Sequence, residues 1–122
     1  KGVSYSTYRT LIKGLLVEGK STGNEQSEAL LNYSGLNDKR MGRLDKTLKI
    51  SEETCIALNK LADNFTLLVL AEGWCGDAAH NVPVIEKVFQ YSDNIMSHEL
   101  LLRDENEEAF SKYLFNNILF LY

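Results

Sequence analysis

The chain has one proline and two cysteines among 122 residues. Cys55 and Cys75 are too few for a disulfide scaffold and too few for a cysteine zinc site. With His80 and His98 they make neither a convincing metal site nor a complete Cys/His catalytic pair, so no metal and no other cofactor is expected. No apolar run approaches the roughly 18–20 residues that span a bilayer, so no membrane association is expected. The opening, Lys1-Gly-Val-Ser-Tyr5, leads into no signal-peptide core. It also lacks an initiator Met, as a processed or trimmed product would, which leaves a removed leader open. Internal repeats and low-complexity stretches are missing too. The expected compartment is cytoplasmic.

Basic residues are in overall deficit, for a net charge of −4, and the deficit is uneven. Residues 1–62 carry ten Lys/Arg against seven Asp/Glu, a balance of +3, whereas residues 63–122 carry three against ten, a balance of −7. Two readings follow. The halves can dock with charge complementarity, or Lys39, Arg40, Arg43, Lys46 and Lys49 can offer a basic face to an anionic partner. That face has no interleaved aromatics and the chain is acidic, so nucleic acid is not an expected partner.

The first half reads helical. Tyr8, Leu11, Ile12, Leu15 and Leu16 share one face at a period of 3.6, and Gly19 or Gly23 can end that helix. A longer helix is expected over residues 25–48, with Leu30, Leu31, Met41, Leu44 and Leu48 inward and a break near Ser34-Gly35. Ser51 is placed to cap a third helix that carries Glu52 and Glu53 in its first turn and runs to about Ala62.

The second half changes period. Phe65–Ala71 is a short continuous apolar run, as in a strand buried on both faces. Residues 76–91 read as a helix with Val82, Ile85, Val88 and Phe89 inward, and Pro83 inside it should kink it. Glu99–Arg103 reads as a strand, residues 105–115 as a helix and Ile118–Tyr122 as a third strand. This β-α-β-α-β order implies a parallel first pair with helices over the sheet. The expected division is a helical extension, 1–62, packed on an α/β domain, 63–122.

Between the first strand and its helix stands Trp74-Cys75-Gly76-Asp77-Ala78. A cysteine at a strand-to-helix junction meets free N–H groups and the helix dipole, which favour the reactive thiolate. Asp77 and Glu72 oppose this by like-charge repulsion. Asp77 can also cap the helix. His80, five residues after Cys75, should point away from it. His98 is expected to be exposed, and Cys55 to pack in the core beside Leu58 and Ala62.

The segment Val69-Leu-Ala-Glu-Gly-Trp-Cys-Gly-Asp-Ala78 resembles the active-site strand and turn of the thioredoxin superfamily. In thioredoxins an Ala-Glu pair precedes Trp-Cys-Gly, and a proline falls eight residues after the first cysteine. Here Ala71-Glu72 precedes Trp74-Cys75-Gly76 with one inserted residue, Gly73, and Pro83 lies eight residues after Cys75. The helical half, including Leu44-Asp-Lys-Thr-Leu48, resembles the N-terminal extension of a bacterial branch of thioredoxin-family proteins. In that branch Trp-Cys-Gly-Asp followed by a small residue recurs. The resemblance implies a thioredoxin-like three-layer α/β sandwich, with an incomplete C-terminal part and an N-terminal helical extension. It makes Cys75 the nucleophile and Trp74 its flat cover.

Three positions depart from that pattern. Ala78 stands where the resolving cysteine would be. Leu68 stands where the family keeps a buried acid that handles the second thiol's proton. Asn116-Asn117 stands where the family has a cis-proline loop. The first two together imply a single-cysteine thiol–disulfide oxidoreductase, with an external thiol to resolve the adduct. Its partners would be protein or small-molecule thiols and disulfides. The alternative is a non-catalytic binding module or redox sensor on the same fold, so enzyme status stays open. For the third departure, the expectation is either a gap near Asn116-Asn117 or an Ile118–Tyr122 edge paired to another molecule, which would make a homo-oligomer.

Overall fold

Ser4 opens the first helix by accepting the Thr7 amide on its hydroxyl at 3.2 Å. In the computed structural model, which describes residues 2–92 and 96–113, α1 then runs over Tyr5–Val17. It ends in a Schellman arrangement. Gly19 takes a φ of 69°, its N–H reaches Leu16 O at 3.1 Å, and the Lys20 N–H reaches Leu15 O at 2.8 Å. The buried face of α1 is Tyr5, Tyr8, Arg9 and Ile12. Leu11, expected inward, is exposed. The face is turned because Arg9 goes inside. Its Nη1 donates to Asp45 Oδ2 at 2.6 Å and its Nη2 to Asp38 Oδ1 at 2.8 Å, while Tyr5 OH donates to Asp45 Oδ1 at 2.7 Å. Those acids belong to the next helix, so the network ties the two together.

That helix, α2, spans Glu28–Thr47 without the break expected at Ser34-Gly35. Ser27 caps it through the Leu30 amide at 3.2 Å. Gly35 faces Leu16 of α1, 4.0 Å from where a Cβ would stand. Packing there offsets the roughly 1 kcal/mol that an interior glycine costs a helix. Met41 is buried, and Leu30, Leu31, Leu44 and Leu48 are half-buried. Two polar residues share the buried stripe, Ser34 and Asn37. Ser51 caps α3, Glu52–Asn59, through the Thr54 amide at 3.1 Å, and this helix stops short of Ala62.

The apolar run forms β1, Phe65–Ala71, as expected. It pairs in parallel with β2, Met96–Leu102, with Val69 opposite Leu100 and Ala71 opposite Leu102. Helix α4, Gly76–Gln90, lies between the two strands in sequence, so this is a β-α-β unit in an α/β fold. β2 begins three residues before the expected Glu99 and ends at Leu102. A 3-10 turn, Arg103–Glu105, follows, and α5 covers Glu107–Tyr113. The Asn116-Asn117 link and the Ile118–Tyr122 strand, with the oligomer expected from its edge, lie outside the described residues.

The N-terminus joins the sheet as well. Val3 and Leu100 exchange backbone hydrogen bonds of 2.8 and 2.9 Å in an antiparallel bridge on β2. One core then runs through both halves. Tyr5, Tyr8, Ile12 and Met41 pack with Val69, Ala71, Cys75, Ala78, Ala79, Val82, Leu100 and Leu102. Each described ion pair lies within one half, and hydrogen bonds that involve backbone cross the join at Asn24–Asp104, Asn37–Gly73 and Thr22–Gly73.

Candidate functional site

β1 delivers the chain into a tight turn, where the Cys75 N–H donates to Glu72 O at 3.0 Å. Cys75 is itself the N-cap of α4. Its backbone is extended, with φ −76° and ψ 117°, and its Sγ accepts the Ala78 N–H at 3.5 Å. A capping role for Asp77 is therefore overturned. Asp77 sits exposed in the first turn, and its carbonyl accepts from Asn81 Nδ2 at 2.8 Å. Ala78 is 1% exposed, so a methyl group packed in the core stands where a resolving cysteine was looked for. Cys75 is also covered, at 3% exposure. Leu68 is half-buried and brings no acid. Pro83 lies buried inside α4.

The inserted Gly73 explains how the turn is held. Its N–H donates to Thr22 Oγ1 at 2.8 Å, and its carbonyl accepts from Asn37 Nδ2 at 3.0 Å. Both partners come from the helical half. A Cβ on Gly73 would stand 3.2 Å from Ile12 Cγ1 and 3.4 Å from Thr22 Cγ2, which is tighter than ordinary van der Waals contact. Glycine lets α1 and the Thr22 loop close over the turn.

Glu72, read from sequence only as a nearby charge, is 2% exposed. Its Oε1 accepts the Asp104 N–H at 2.9 Å, while Oε2 is buried without an aligned partner. Burial pushes its carboxyl above the usual range. The Asp104 N–H, the neighbouring Thr22 hydroxyl and the Arg103 charge oppose this, and the Asp104 charge adds to it. Asp104 behaves oppositely. Burial would raise it, but hydrogen bonds from Arg103 and from the Asn24 N–H, with the Arg103 charge, hold it low. Arg103 also lies over the half-buried Trp74 ring, 5.1 Å from its centroid. Tyr8, 1% exposed, is pushed up by burial and then by the charges of Glu72 and Cys75.

His80 is exposed, as expected, and its Nδ1 approaches Gly76 O at 2.7 Å, so the ring proton sits on Nδ1. His98 is a correction. It lies in β2 rather than on the surface, edge-on to Phe89 at 4.9 Å, with Nε2 2.9 Å from Glu86 Oε2 but not aligned as a hydrogen bond. Burial pushes this imidazole below its ordinary value, against the pull of Glu86. Cys55 is half-buried on α3, and both thiols are free. Among the described residues no group of His, Cys, Asp or Glu is placed to hold a metal ion, and no helix is long and apolar enough to cross a membrane.

The sequence reading found Trp74, Cys75, Gly76, Asp77, Ala78 and Pro83, and the structure brings these into one strand–turn–helix. It missed Thr22, Asn37 and Arg103, and Tyr8 as a neighbour of the thiol, which converge from distant segments. One signal was available. Ser34 and Asn37 interrupt the inward leucine and methionine set of α2, and polar residues there need buried partners.

No match was found among curated proteins or among solved structures. A family model described as Thioredoxin matches residues 23–118, which include β1, the Cys75 turn, α4 and β2. This chain belongs to the thioredoxin family.

Proposed function

We propose that this protein is a thiol–disulfide oxidoreductase of single-cysteine type, acting from a reducing, cytoplasmic compartment. The observation that carries the reading is the Cys75 sulfur at the N-cap of α4, accepting the Ala78 N–H. A thiolate gains more from that donor and from the helix dipole than a thiol does. In the first step the Cys75 thiolate attacks one sulfur of a disulfide. A Cys75–substrate S–S bond forms as the substrate S–S bond breaks, and the other half leaves as a thiolate. With Ala78 in the resolving position, an external thiolate attacks the substrate sulfur of the adduct. Cys75 leaves as thiolate, and the substrate sulfur leaves joined to the external thiol, so one disulfide has been exchanged for a mixed one. Residues 1–62 act here as an extension that holds the Cys75 turn through Thr22 and Asn37, beside a catalytic unit at 63–122.

One observation favours a second reading. Cys75 is 3% exposed, so a disulfide reaches it only when its cover moves. A redox sensor or a non-catalytic binding module that offers Trp74 to a partner needs no such access. Alkylation of Cys75 against pH in a Cys55→Ala background separates the two. A thiol pKa well below the ~8.5 of free cysteine, with mixed disulfides that turn over when thiol is added, is the catalytic result. Slow alkylation at every pH, with no turnover, sinks the catalytic reading and leaves the module.

A further inference from the structure

A cavity of about 300 Å³ opens between α2 and the start of α4, lined by Leu36, Lys39, Arg40, Arg43, Leu44 and His80. Its volume is at the lower end of small-ligand pockets, which run to about 300–1,000 Å³. Three permanent cations face one space. The acids that could neutralise them along α2 are engaged elsewhere, since Asp38 and Asp45 both turn to Arg9. Among the described residues Lys39, Arg40 and Arg43 enter no ion pair, and Asp77 forms none with them. Arg40 is held in place by donating from Nη1 to Asn37 Oδ1 at 3.1 Å.

The cavity adjoins the thiol turn. Arg40 Nη1 stands 3.9 Å from where a Cβ on Gly76 would be, and His80 is fixed to the Gly76 carbonyl. Gly76 follows Cys75 directly. Uncompensated cations around a concave site attract an anion, and guanidinium groups match the geometry of carboxylates. Leu36 and Leu44 supply an apolar wall for a short alkyl chain.

We propose that this cavity binds the carboxylates of a small acidic thiol, and that this is the external thiol that resolves the Cys75 adduct. The inference rests on the catalytic reading above and names the co-substrate class of that site. The bound thiolate would attack the substrate sulfur of the Cys75 adduct and release the Cys75 thiolate.

The test has a binding arm and a kinetic arm, both on the full chain. In the binding arm, Cys75→Ser protein is titrated with mercaptosuccinate, mercaptoethanol and inorganic phosphate by calorimetry. The expected result is binding of mercaptosuccinate at least tenfold tighter than of the other two. Lys39→Gln with Arg43→Gln, both on exposed side chains, should weaken it at least tenfold. Equal binding of phosphate, or no loss in the double variant, overturns the proposal. In the kinetic arm, the Cys75 mixed disulfide with a short cysteine peptide, in a Cys55→Ala background, is resolved by each thiol, and the freed Cys75 protein is followed by mass. Mercaptosuccinate should outpace mercaptoethanol, after correction for thiol pKa, and lose that lead in the double variant. No lead overturns the co-substrate role. Failure of every thiol, mercaptoethanol included, is instead a failure of the catalytic reading, and the binding arm still decides the cavity.

Discussion

Asn37 of α2 donates its side-chain amide to the main-chain carbonyl of Gly73 at 3.0 Å, and both residues are buried. The bond joins the helical half of the chain to the turn that presents Cys75. Its side-chain oxygen is used too, since Asn37 Oδ1 accepts from Arg40. One side chain therefore links the turn to the basic cavity.

Replacing Asn37 with Ala leaves the Gly73 carbonyl buried without that donor. An orphaned buried acceptor costs about 1–3 kcal/mol, so the urea midpoint should fall by a corresponding amount at unchanged slope. The turn should also loosen. Alkylation of Cys75 under native conditions should speed up, whereas alkylation in urea should match the parent. An unchanged midpoint and an unchanged native rate would show that the bond holds nothing.

Gly73→Ala tests the close approach on the other side of the turn. The new methyl would meet Ile12 and Thr22, and overpacking of this kind costs about 1–3 kcal/mol. Ile12→Ala removes the nearest atoms and, alone, should cost about 2–5 kcal/mol through the cavity that it leaves. The double variant should lose less than the sum, with a favourable coupling of at least about 0.5 kcal/mol. Simple additivity would mean that the turn moves away from α1 instead of pressing on it.

Local signals carried much of the fold. β1 could be bounded at both ends because a continuous apolar run is short and flanked by polar residues. Ser51 marked α3 because capping is a local hydrogen bond. The failures were tertiary. Leu11 was expected inward because an arginine counts as a surface residue, yet Arg9 is buried between two aspartates and turns the helix face toward itself. Gly35 was expected to break α2, but the helix runs on through it, facing Leu16 of α1. His98 looked exposed beside a strand that in fact starts two residues before it. At the site, Trp74 through Ala78 share one stretch and could be read together. Thr22, Asn37 and Tyr8 could not, because only folding brings them to one turn.

Glu72 makes a pH prediction. Burial raises its folded carboxyl above the ordinary 4.5, so the folded state holds this proton more tightly than the unfolded chain does. Its contribution is fully present below pH 4.5 and is lost as pH rises through the folded value. His98 runs the other way. With its folded value below 6.5, its contribution is present above pH 6.5 and is lost as pH falls. The two oppose each other in the parent, so the difference against Glu72→Gln isolates the acid. Glutamine keeps an oxygen for the Asp104 N–H. The variant should gain stability relative to the parent as pH rises from 4.5 toward 7, measured by urea unfolding across that range. A difference that stays flat with pH would mean that Glu72 titrates normally.

Cys75 is both a helix cap and a core side chain, and two substitutions separate the roles. Serine supplies a better acceptor for the Ala78 N–H but brings a hydroxyl into the buried cluster that holds Cys75. Alanine keeps the apolar contact and gives up the cap, which costs about 0.5–2 kcal/mol when a capping side chain is lost. If the sulfur acts chiefly as cap, Cys75→Ser should be more stable than Cys75→Ala in urea unfolding. The opposite order would assign Cys75 to the core as a small apolar residue. It would also weaken the catalytic reading at its base, because the donor that caps the sulfur is the one that would stabilise its thiolate.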